Sequence, residues 1–361
     1  MKTALDYAIS ACETMMRKFA SADLPPKGHF HYHQGVFLSG MYETYKLSGD
    51  ERYFQYIKDW IDSVFDAEGK IIDHSPATLD DIMPGILLFP LIDKTGDSYY
   101  EKCLQSVMED VRIIPRNSEG GYWHKPIRED QMWLDGLYMG GPFMSEYAKR
   151  YGDADLAREV VFQALMMEQK TKDAETGLMY HAWDGSGKTE WHDPVTGRSA
   201  EFWGRAMGWV GVAIMNDLDF LPEDIEGRDA MISEATNLLK SLCRYQSSDG
   251  RWYQVVDKVG VPGNWPENSC SCLYTAAMCK AIRRGYLLAE YRENALRGYE
   301  GVINSLSWNG DDIQIGNVCV GTGVGNYEHY INRPTSVNDL HGVGAFLLMC
   351  TEVQKLIDSK L

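Results

Sequence analysis

Tyr151-Gly152-Asp153 has the residue chemistry of a junction between two helices. Glycine readily adopts the left-handed conformation that ends a helix, and aspartate is a favoured N-terminal cap of the helix that follows. The same glycine and aspartate pair occurs in Ser48-Gly49-Asp50 and Thr95-Gly96-Asp97. Three copies of one junction predict a repeated unit of two helices.

The helices on the two sides of these junctions differ in character. A helix after a junction alternates charged and apolar residues at helical spacing, which predicts a surface helix. A helix before a junction is nearly uncharged over its first three turns, which predicts a buried helix. Surface helices are expected over 2–20, 51–66, 98–112, 154–170, 228–246 and 291–306, and buried helices are expected to begin near 33, 80, 134, 204, 270 and 337.

Glycine recurs inside the predicted buried helices, for example at Gly40, Gly208 and Gly344. A glycine inside a helix costs about 1 kcal/mol relative to alanine, so its repetition indicates that neighbouring backbones approach closely. Six buried and six surface helices packed in this way predict a closed double ring. We therefore expect an all-α fold, an (α/α)6 barrel of six inner and six outer helices, with residues 1–361 as a single domain.

Short aromatic or polar stretches follow the surface helices, each after a glycine turn. In a ring of helix pairs, such a stretch leads from the end of an outer helix to the start of the next inner helix. The stretches should therefore emerge at one end of the barrel, and we expect the functional site at that end. They lie at 71–74, 122–124, 178–181, 252–255 and 313–315.

Charge and composition exclude several classes of function. The chain has 361 residues, a formal net charge of −17 and a pI near 5.0. Nucleic acids and anionic membranes are bound through basic surfaces, so neither is an expected partner. The sequence begins without the pattern of a signal peptide, and its eight cysteines lack disulfide spacing. We expect a cytoplasmic protein with buried, reduced cysteines.

The most unusual segment spans 124–143. Its first half is polar and aromatic and its second half is small and apolar, so Asp135 lies where a loop enters a buried helix. Asp80 begins the preceding inner helix, and ring closure would place the two carboxylates on adjacent parts of the rim. Sugar chemistry commonly uses two carboxyl groups, one protonated and one ionised. Each aspartate could instead simply cap its helix; the neighbouring Trp133 favours catalysis for Asp135, and Asp80 is favoured over Asp81.

Several histidines and one arginine are predicted on the same rim, namely His124, His181, His192 and Arg205. A guanidinium group beside imidazoles and tryptophan faces suits an acidic sugar, because it can hold a carboxylate while the rings stack on the sugar. A metal site is the alternative use of histidines. The sequence has no His-x-x-x-His or paired acid motif on one helix, so we expect no metal.

The glycine-rich stretch Gly321-Thr322-Gly323-Val324-Gly325 invites comparison with nucleotide-binding loops. Its third glycine comes one residue too early for a dinucleotide fingerprint, and no Lys-Ser/Thr pair follows it. We interpret it as a rim loop before the last inner helix, and we expect no cofactor.

Three motifs resemble those of glycoside hydrolase family 105, the unsaturated rhamnogalacturonyl hydrolases, which is related to the family 88 unsaturated glucuronyl hydrolases. The motifs are Trp-Leu-Asp-Gly-Leu-Tyr-Met-Gly-Gly-Pro-Phe at 133–143, Trp-Gly-Arg-Ala-Met-Gly-Trp at 203–209, and Gly-Thr-Gly-Val-Gly-Asn-Tyr at 321–327 followed by Asn-Asp-Leu at 338–340. The resemblance spans essentially the whole chain and implies the (α/α)6 barrel.

The resemblance also implies roles for single residues. Asp135 would be the general acid/base and Asp80 the second carboxylate. In the first inner helix, His31-Tyr32-His33 stands where the family has an aromatic residue, and which of the three reaches the sugar stays open. The subsite for the sugar would be lined by Trp133, His181, Trp203, Arg205 and Trp209, with His124, Tyr32 and His33 as further candidates.

The reaction implied by the family is hydration of the C4=C5 double bond in an unsaturated uronic acid at the non-reducing end of an oligosaccharide made by a polysaccharide lyase. This chemistry needs a general acid/base and no metal or nucleotide. Two other functions stay open: a sugar 2-epimerase or isomerase on the same barrel, which would need paired histidines, and an oligosaccharide-binding protein without catalysis. The sequence fixes neither the leaving sugar nor the oligomeric state.

Overall fold

The computed structural model describes residues 2–73 and 78–359, so His74 of the first rim stretch lies outside the described residues. Helices account for most of this length. In chain order they are α1 (Ala4–Lys18), α2 (Tyr32–Ser48), α3 (Glu51–Val64), α4 (Leu79–Ile82), α5 (Leu88–Thr95), α6 (Ser98–Ile113), α7 (Asp135–Tyr151), α8 (Ala154–Thr171), α9 (Gly204–Asp217), α10 (Arg228–Cys243), α11 (Asn268–Arg283), α12 (Arg292–Asn304), α13 (Tyr327–Ile331) and α14 (Leu340–Asp358).

The helices form two concentric rings. The inner ring runs α2, α4 with α5, α7, α9, α11 and α14, and α14 packs against α2 to close it. The outer ring is α1, α3, α6, α8, α10 and α12, each packed on inner helices next to it in the chain. The fold is an (α/α)6 barrel, which confirms the prediction from the repeated helix pairs.

The glycine and aspartate junctions have the geometry that the sequence predicts. Gly49 and Gly152 are in the left-handed region, with φ of 70° and 69°. The side chain of Asp50 accepts a hydrogen bond from the backbone N–H of Arg52, and that of Asp153 accepts one from Leu156. Each junction therefore ends an inner helix and caps the outer helix that follows.

The first and last inner helices touch through their backbones. A Cβ atom on Gly344 of α14 would lie 2.5 Å from the carbonyl carbon of Val36 in α2, and one on Gly40 would lie 2.6 Å from Cβ of Leu347. Any side chain at these positions would force the two helices apart. This contact confirms the close approach predicted from the glycines.

The second inner helix differs from the single helix expected from the sequence. It is divided into α4 and α5 by a 3₁₀ segment, Met83–Leu87, that contains Pro84. Proline lacks the backbone N–H needed for a helical hydrogen bond, which explains the break. As a result α4 is one short turn, and it holds Asp80 at the rim.

Within the described residues, segments between the helices form four short antiparallel ribbons. These are β1 (Gln131–Trp133) with β2 (Ala182–Asp184), β3 (Trp252–Tyr253) with β4 (Pro266–Glu267), β5 (Ser307–Asn309) with β6 (Asp312–Gln314), and β7 (Val318–Cys319) with β8 (Thr335–Ser336). Strands β1 and β4 lead directly into the inner helices α7 and α11. The ribbons therefore collect polar and aromatic side chains where inner helices begin.

Two further findings bear on the expectations from composition. All eight cysteines are free thiols, and seven are buried, as predicted for small apolar residues. Within 2–73 and 78–359, no helix combines the length and apolar character needed to span a membrane.

Candidate active site

Asp135 is the first residue of α7, directly after the strand that carries Trp133. Its carboxylate oxygen Oδ2 lies 3.1 Å from Nε2 of His181, and its side chain is 14% exposed. Burial raises the pKa of Asp135, but the hydrogen bond and charge of His181, together with His124 and Arg205, outweigh burial and lower this pKa below its usual value. The carboxylate is therefore ionised at neutral pH in the free protein.

His181 is fully buried, and both of its ring nitrogens have partners. Nε2 faces Asp135, and Nδ1 lies 2.7 Å from the hydroxyl oxygen of Tyr330. That oxygen accepts a hydrogen bond from the backbone N–H of Gly325 at 3.2 Å, so the hydroxyl proton is free to point at Nδ1. Nε2 then carries the imidazole proton and donates a hydrogen bond to Asp135. This bond fixes the tautomer and the ring orientation.

Asp80 in α4 is 3% exposed and is held by two cationic or polarisable groups. Oδ2 lies 2.6 Å from Nζ of Lys125, and Oδ1 lies 3.5 Å from Nε2 of His124. Burial raises the pKa of Asp80, but the charges of His124 and Lys125 oppose burial and bring it to about 2. Asp80 is thus an ionised carboxylate neutralised by a lysine.

Asp81 has a different environment. Its Oδ1 lies 2.9 Å from Nδ1 of His31, and its Oδ2 accepts a hydrogen bond of 2.9 Å from the hydroxyl of Thr78. These contacts tie the start of α4 to the residue that precedes α2. They favour a structural role for Asp81 and leave Asp80 as the second carboxylate beside His124.

Aromatic rings form a continuous wall beside Asp135. Trp133 stacks on His124 with ring centroids 4.5 Å apart, and its edge meets the ring of His181 at 5.5 Å. On the other side, Trp203 lies 4.5 Å from His181 and stacks on Tyr330 at 5.9 Å. The structure thus brings together four residues from three segments of the chain: His124 and Trp133 from 124–143, together with His181 and Trp203.

Arg205 joins this wall from the first turn of α9, but its hydrogen bonds point to the backbone. Nη1 donates to the carbonyl of Cys319 at 2.6 Å, and Nη2 donates to the carbonyl of Val320 at 2.9 Å. The guanidinium lies over the ring of Trp203 at 4.6 Å. Arg205 therefore holds the strand that enters the glycine-rich loop, and its expected contact with a substrate carboxylate stays a prediction.

Tyr32 and His33 lie at the start of α2. Burial raises the pKa of Tyr32, and its hydroxyl lies against the glycine-rich loop, where a Cβ atom on Gly321 would be 3.5 Å from the hydroxyl oxygen. The ring of His33 turns instead toward Asp339, with Nε2 4.0 Å from Oδ1. Of the three candidates in 31–33, Tyr32 is therefore the one that the geometry favours as a substrate contact.

Two predicted contacts lie apart from this group. Trp209 is 1% exposed and stacks on Tyr138 at 4.7 Å in the interior of the barrel. His192 points Nδ1 at the carbonyl of Thr189 within its own loop. Neither position supports a contact with a sugar at Asp135, and both assignments stay predictions.

The sequence interpretation missed two residues of the site, Lys125 and Tyr330. Lys125 follows His124 directly in the polar half of 124–143, so its proximity to the carboxylates had a local signal. Tyr330 is separated from His181 by 149 positions and lies in the short helix α13, so nothing in the sequence linked the two.

A cavity of about 450 Å³ lies at the opposite end of the barrel, where inner helices end. Its charged side chains are extensively paired with one another. Lys355 contacts Glu43 at 2.6 Å and Glu352 at 2.8 Å, and Arg283 contacts Glu352 at 2.8 Å. These pairs neutralise the cationic groups that would hold an anion, so we place the active site at the Asp135 end.

Comparisons with known proteins identify the family of this chain. Residues 7–357 match the family described as Glycosyl Hydrolase Family 88. A solved structure of a family 105 glycoside hydrolase from C. acetobutylicum ATCC 824 has a TM-score of 0.92, with 31% identity over 97% of this chain and 99% of that chain. A curated relative, the unsaturated rhamnogalacturonyl hydrolase YesR of Bacillus subtilis, is 26% identical over 89% of this chain and 88% of its own length.

A more distant structure shares the fold alone. The unsaturated glucuronyl hydrolase from Bacillus sp. GL1 has a TM-score of 0.71 at 14% identity, covering 96% of this chain and 95% of that chain. The matched length, the barrel and the three motifs agree with one another. The chain belongs to the glycoside hydrolases of families 88 and 105.

Proposed function

We propose that this protein removes an unsaturated uronic acid from the non-reducing end of small oligosaccharides produced by polysaccharide lyases, by hydrating the C4=C5 double bond. The observation that carries the proposal is the pair of Asp135 and His181 on the aromatic rim of a family 88/105 barrel. The similarity to YesR favours an unsaturated rhamnogalacturonan disaccharide as substrate, and a cytoplasmic location would suit small imported products.

The proposed reaction uses Asp135 as both acid and base. Asp135 gives a proton to C4 while a water molecule adds its oxygen to C5, and the carboxylate then takes the proton that this water releases. The hemiketal formed at C5 opens to a ketone, and the neighbouring sugar leaves. No metal or nucleotide enters this sequence of steps.

Asp135 must gain a proton before it can act as an acid, because its pKa is lowered in the free protein. A bound uronate supplies the required change. Its carboxylate brings a negative charge beside the largely buried Asp135, and a nearby negative charge raises the pKa of a carboxyl group. Substrate binding would thus prepare the acid form of Asp135.

The other residues would bind and orient the sugar. Asp80 stays ionised through its contact with Lys125 and would accept hydrogen bonds from sugar hydroxyls. Trp133 and Trp203 offer faces on which an apolar sugar face can stack. His124, 3.5 Å from Asp80, and Tyr32, whose hydroxyl lies against the glycine-rich loop, would complete the subsite.

A panel of lyase-treated pectins and glycosaminoglycans tests the proposal. The conjugated double bond of the unsaturated uronate absorbs ultraviolet light, so hydration should remove this absorbance while the saturated sugar is released. The rhamnogalacturonan disaccharide should react faster than glycosaminoglycan disaccharides. An epimerase or a binding protein would leave the absorbance intact, and persistence of absorbance across the whole panel would refute the proposal.

A further inference from the structure

Two histidines and one aspartate meet at the rim where the first and last inner helices begin. His33 lies in the first turn of α2, Asp339 is the N-cap of α14, and His341 lies in its first turn. One possible ligand atom from each residue lies within 4.8 Å of the other two. We call His33, Asp339 and His341 the rim triad.

The close contact between α2 and α14 creates the rim triad. Gly344 allows the backbone of α14 to approach that of Val36 in α2, as described above. The rings of His33 and His341, one turn nearer the rim, therefore meet edge to face with centroids 5.2 Å apart. His33 is about 300 positions from Asp339 and His341 in the sequence, so residue spacing gave no indication of this group.

Hydrogen bonding determines which nitrogen of His341 is free. Nε2 lies 3.0 Å from the carbonyl oxygen of Cys319, so Nε2 carries a proton and donates a hydrogen bond to this oxygen. Nδ1 lies only 2.7 Å from Oδ1 of Asp339, but it lacks a hydrogen bond of acceptable geometry. A neutral His341 would direct a lone pair at a carboxylate oxygen, and two acceptors at this distance need a cation between them or beside them.

We propose that the rim triad binds a divalent transition-metal ion, with zinc as the best match to two imidazoles and one carboxylate. A histidine that ligates a metal usually donates its other N–H to a carbonyl or carboxylate, as His341 does to Cys319. Ser336 bonds the second oxygen of Asp339 at 3.4 Å, which orients this ligand. A water molecule would fill the fourth position of a tetrahedral zinc site.

The distances permit such a site after a small movement of side chains. Ligand atoms held about 2.1 Å from one tetrahedral ion lie about 3.4 Å apart. Oδ1 of Asp339 lies 2.7 Å from Nδ1 of His341 and 4.0 Å from Nε2 of His33, so the two distances lie on either side of this value. His33 needs the largest adjustment, and it is half-buried at the end of a helix.

The bound ion would join the two ends of the inner ring. His33 belongs to the first inner helix, and Asp339 and His341 belong to the last, so the ion would stabilise the contact that closes the barrel. It would also fix the strand at Cys319, whose carbonyl also accepts a hydrogen bond from Arg205. No step of the proposed reaction requires the bound ion. The inference therefore does not depend on the proposed function.

Metal binding to the full chain, without a histidine tag, tests this inference. Protein freed of metal by a chelator is titrated with Zn²⁺ in a calorimeter, and zinc is counted by elemental analysis after dialysis. We expect one zinc ion per chain and a higher midpoint of thermal unfolding with Zn²⁺. His33→Ala and Asp339→Asn should each weaken binding at least about tenfold.

His29→Ala is the matched control, because His29 is an exposed histidine nearby that contacts Asp73. It should bind zinc as tightly as the wild type. X-ray absorption of the zinc-loaded wild type, which requires no variant, should show two imidazole ligands. Absence of zinc binding in the wild type, or zinc affinities of His33→Ala and Asp339→Asn equal to that of the wild type, would overturn the inference.

Discussion

Nε2 of His181 lies 3.1 Å from Oδ2 of Asp135, although 46 positions separate the two residues in the chain. The contact forms because Asp135 begins α7 while His181 leads into β2, which pairs with the strand just before α7. The backbone N–H of Leu134 also donates to the carbonyl of His181 at 3.0 Å. A strand pair thus holds the histidine against the carboxylate on which the proposed reaction depends.

Replacement of Asp135 tests its role as acid and base. Asp135→Asn keeps the shape of the side chain but cannot exchange a proton, so we expect kcat to fall by at least about 100-fold. Thermal unfolding and binding of the product sugar should change little. Steady-state kinetics and calorimetry measure these quantities, and a variant that kept more than a few per cent of the wild-type rate would disprove the assignment.

The hydroxyl of Tyr330 should be required to orient His181. Tyr330→Phe removes the donor to Nδ1, so Nε2 is no longer fixed as the protonated nitrogen that faces Asp135. We expect kcat to fall about tenfold, equivalent to about 1.4 kcal/mol, with KM nearly unchanged. Tyr56→Phe is the control, because Tyr56 lies in the outer helix α3 and donates to the carbonyl of Phe19. Equal kcat values in the two variants would exclude the role of Tyr330.

Arg205 should affect both stability and substrate binding. Lysine cannot bridge the carbonyls of Cys319 and Val320, so Arg205→Lys should lower the free energy of unfolding by about 2 kcal/mol and raise KM. Arg228 is a second buried arginine that donates to two carbonyls, those of Leu218 and Leu221. Arg228→Lys should lose similar stability at unchanged KM. If Arg205→Lys also left KM unchanged, Arg205 would not belong to the substrate site.

The pH dependence should differ between the free enzyme and its complex. The pKa of Asp135 is lowered in the free protein, so the fraction in the acid form falls early as pH rises. A bound uronate anion raises this pKa, so the acid form persists to higher pH in the complex. We therefore expect the alkaline limb of the kcat profile at higher pH than that of kcat/KM. Coincident limbs would contradict the proposed effect of substrate on Asp135.

The repeated architecture could be predicted from the sequence because its determinants are local. Gly152 and Asp153 fix a helix junction through backbone conformation and capping, and the same pair recurs twice. The broken second inner helix was harder to predict, since Pro84 follows the first turn of an otherwise helical stretch. Local chemistry thus predicted the ring but not its irregular member.

The candidate site could be predicted only in part, for a related reason. Asp135, Trp133 and His124 share one segment, so their common location followed from the order of the chain. Tyr330 and the rim triad depend on contacts between distant segments, which only closure of the ring determines. Arg205 was predicted as a charged group at the rim. Its hydrogen bonds to Cys319 and Val320 could not be predicted, because those carbonyls are more than 100 positions away in the chain.

The fate of hydrogen at C4 tests the central claim most directly. Turnover of the unsaturated disaccharide in deuterated water should place deuterium at C4 of the early product, and a saturated substrate with the same linkage should be inert because it has no double bond to protonate. Mass and proton spectra, corrected by a control without enzyme for exchange beside the new ketone, measure the label. Cleavage of the saturated substrate at a comparable rate, with no deuterium at C4, would contradict hydration and indicate direct hydrolysis at the anomeric carbon.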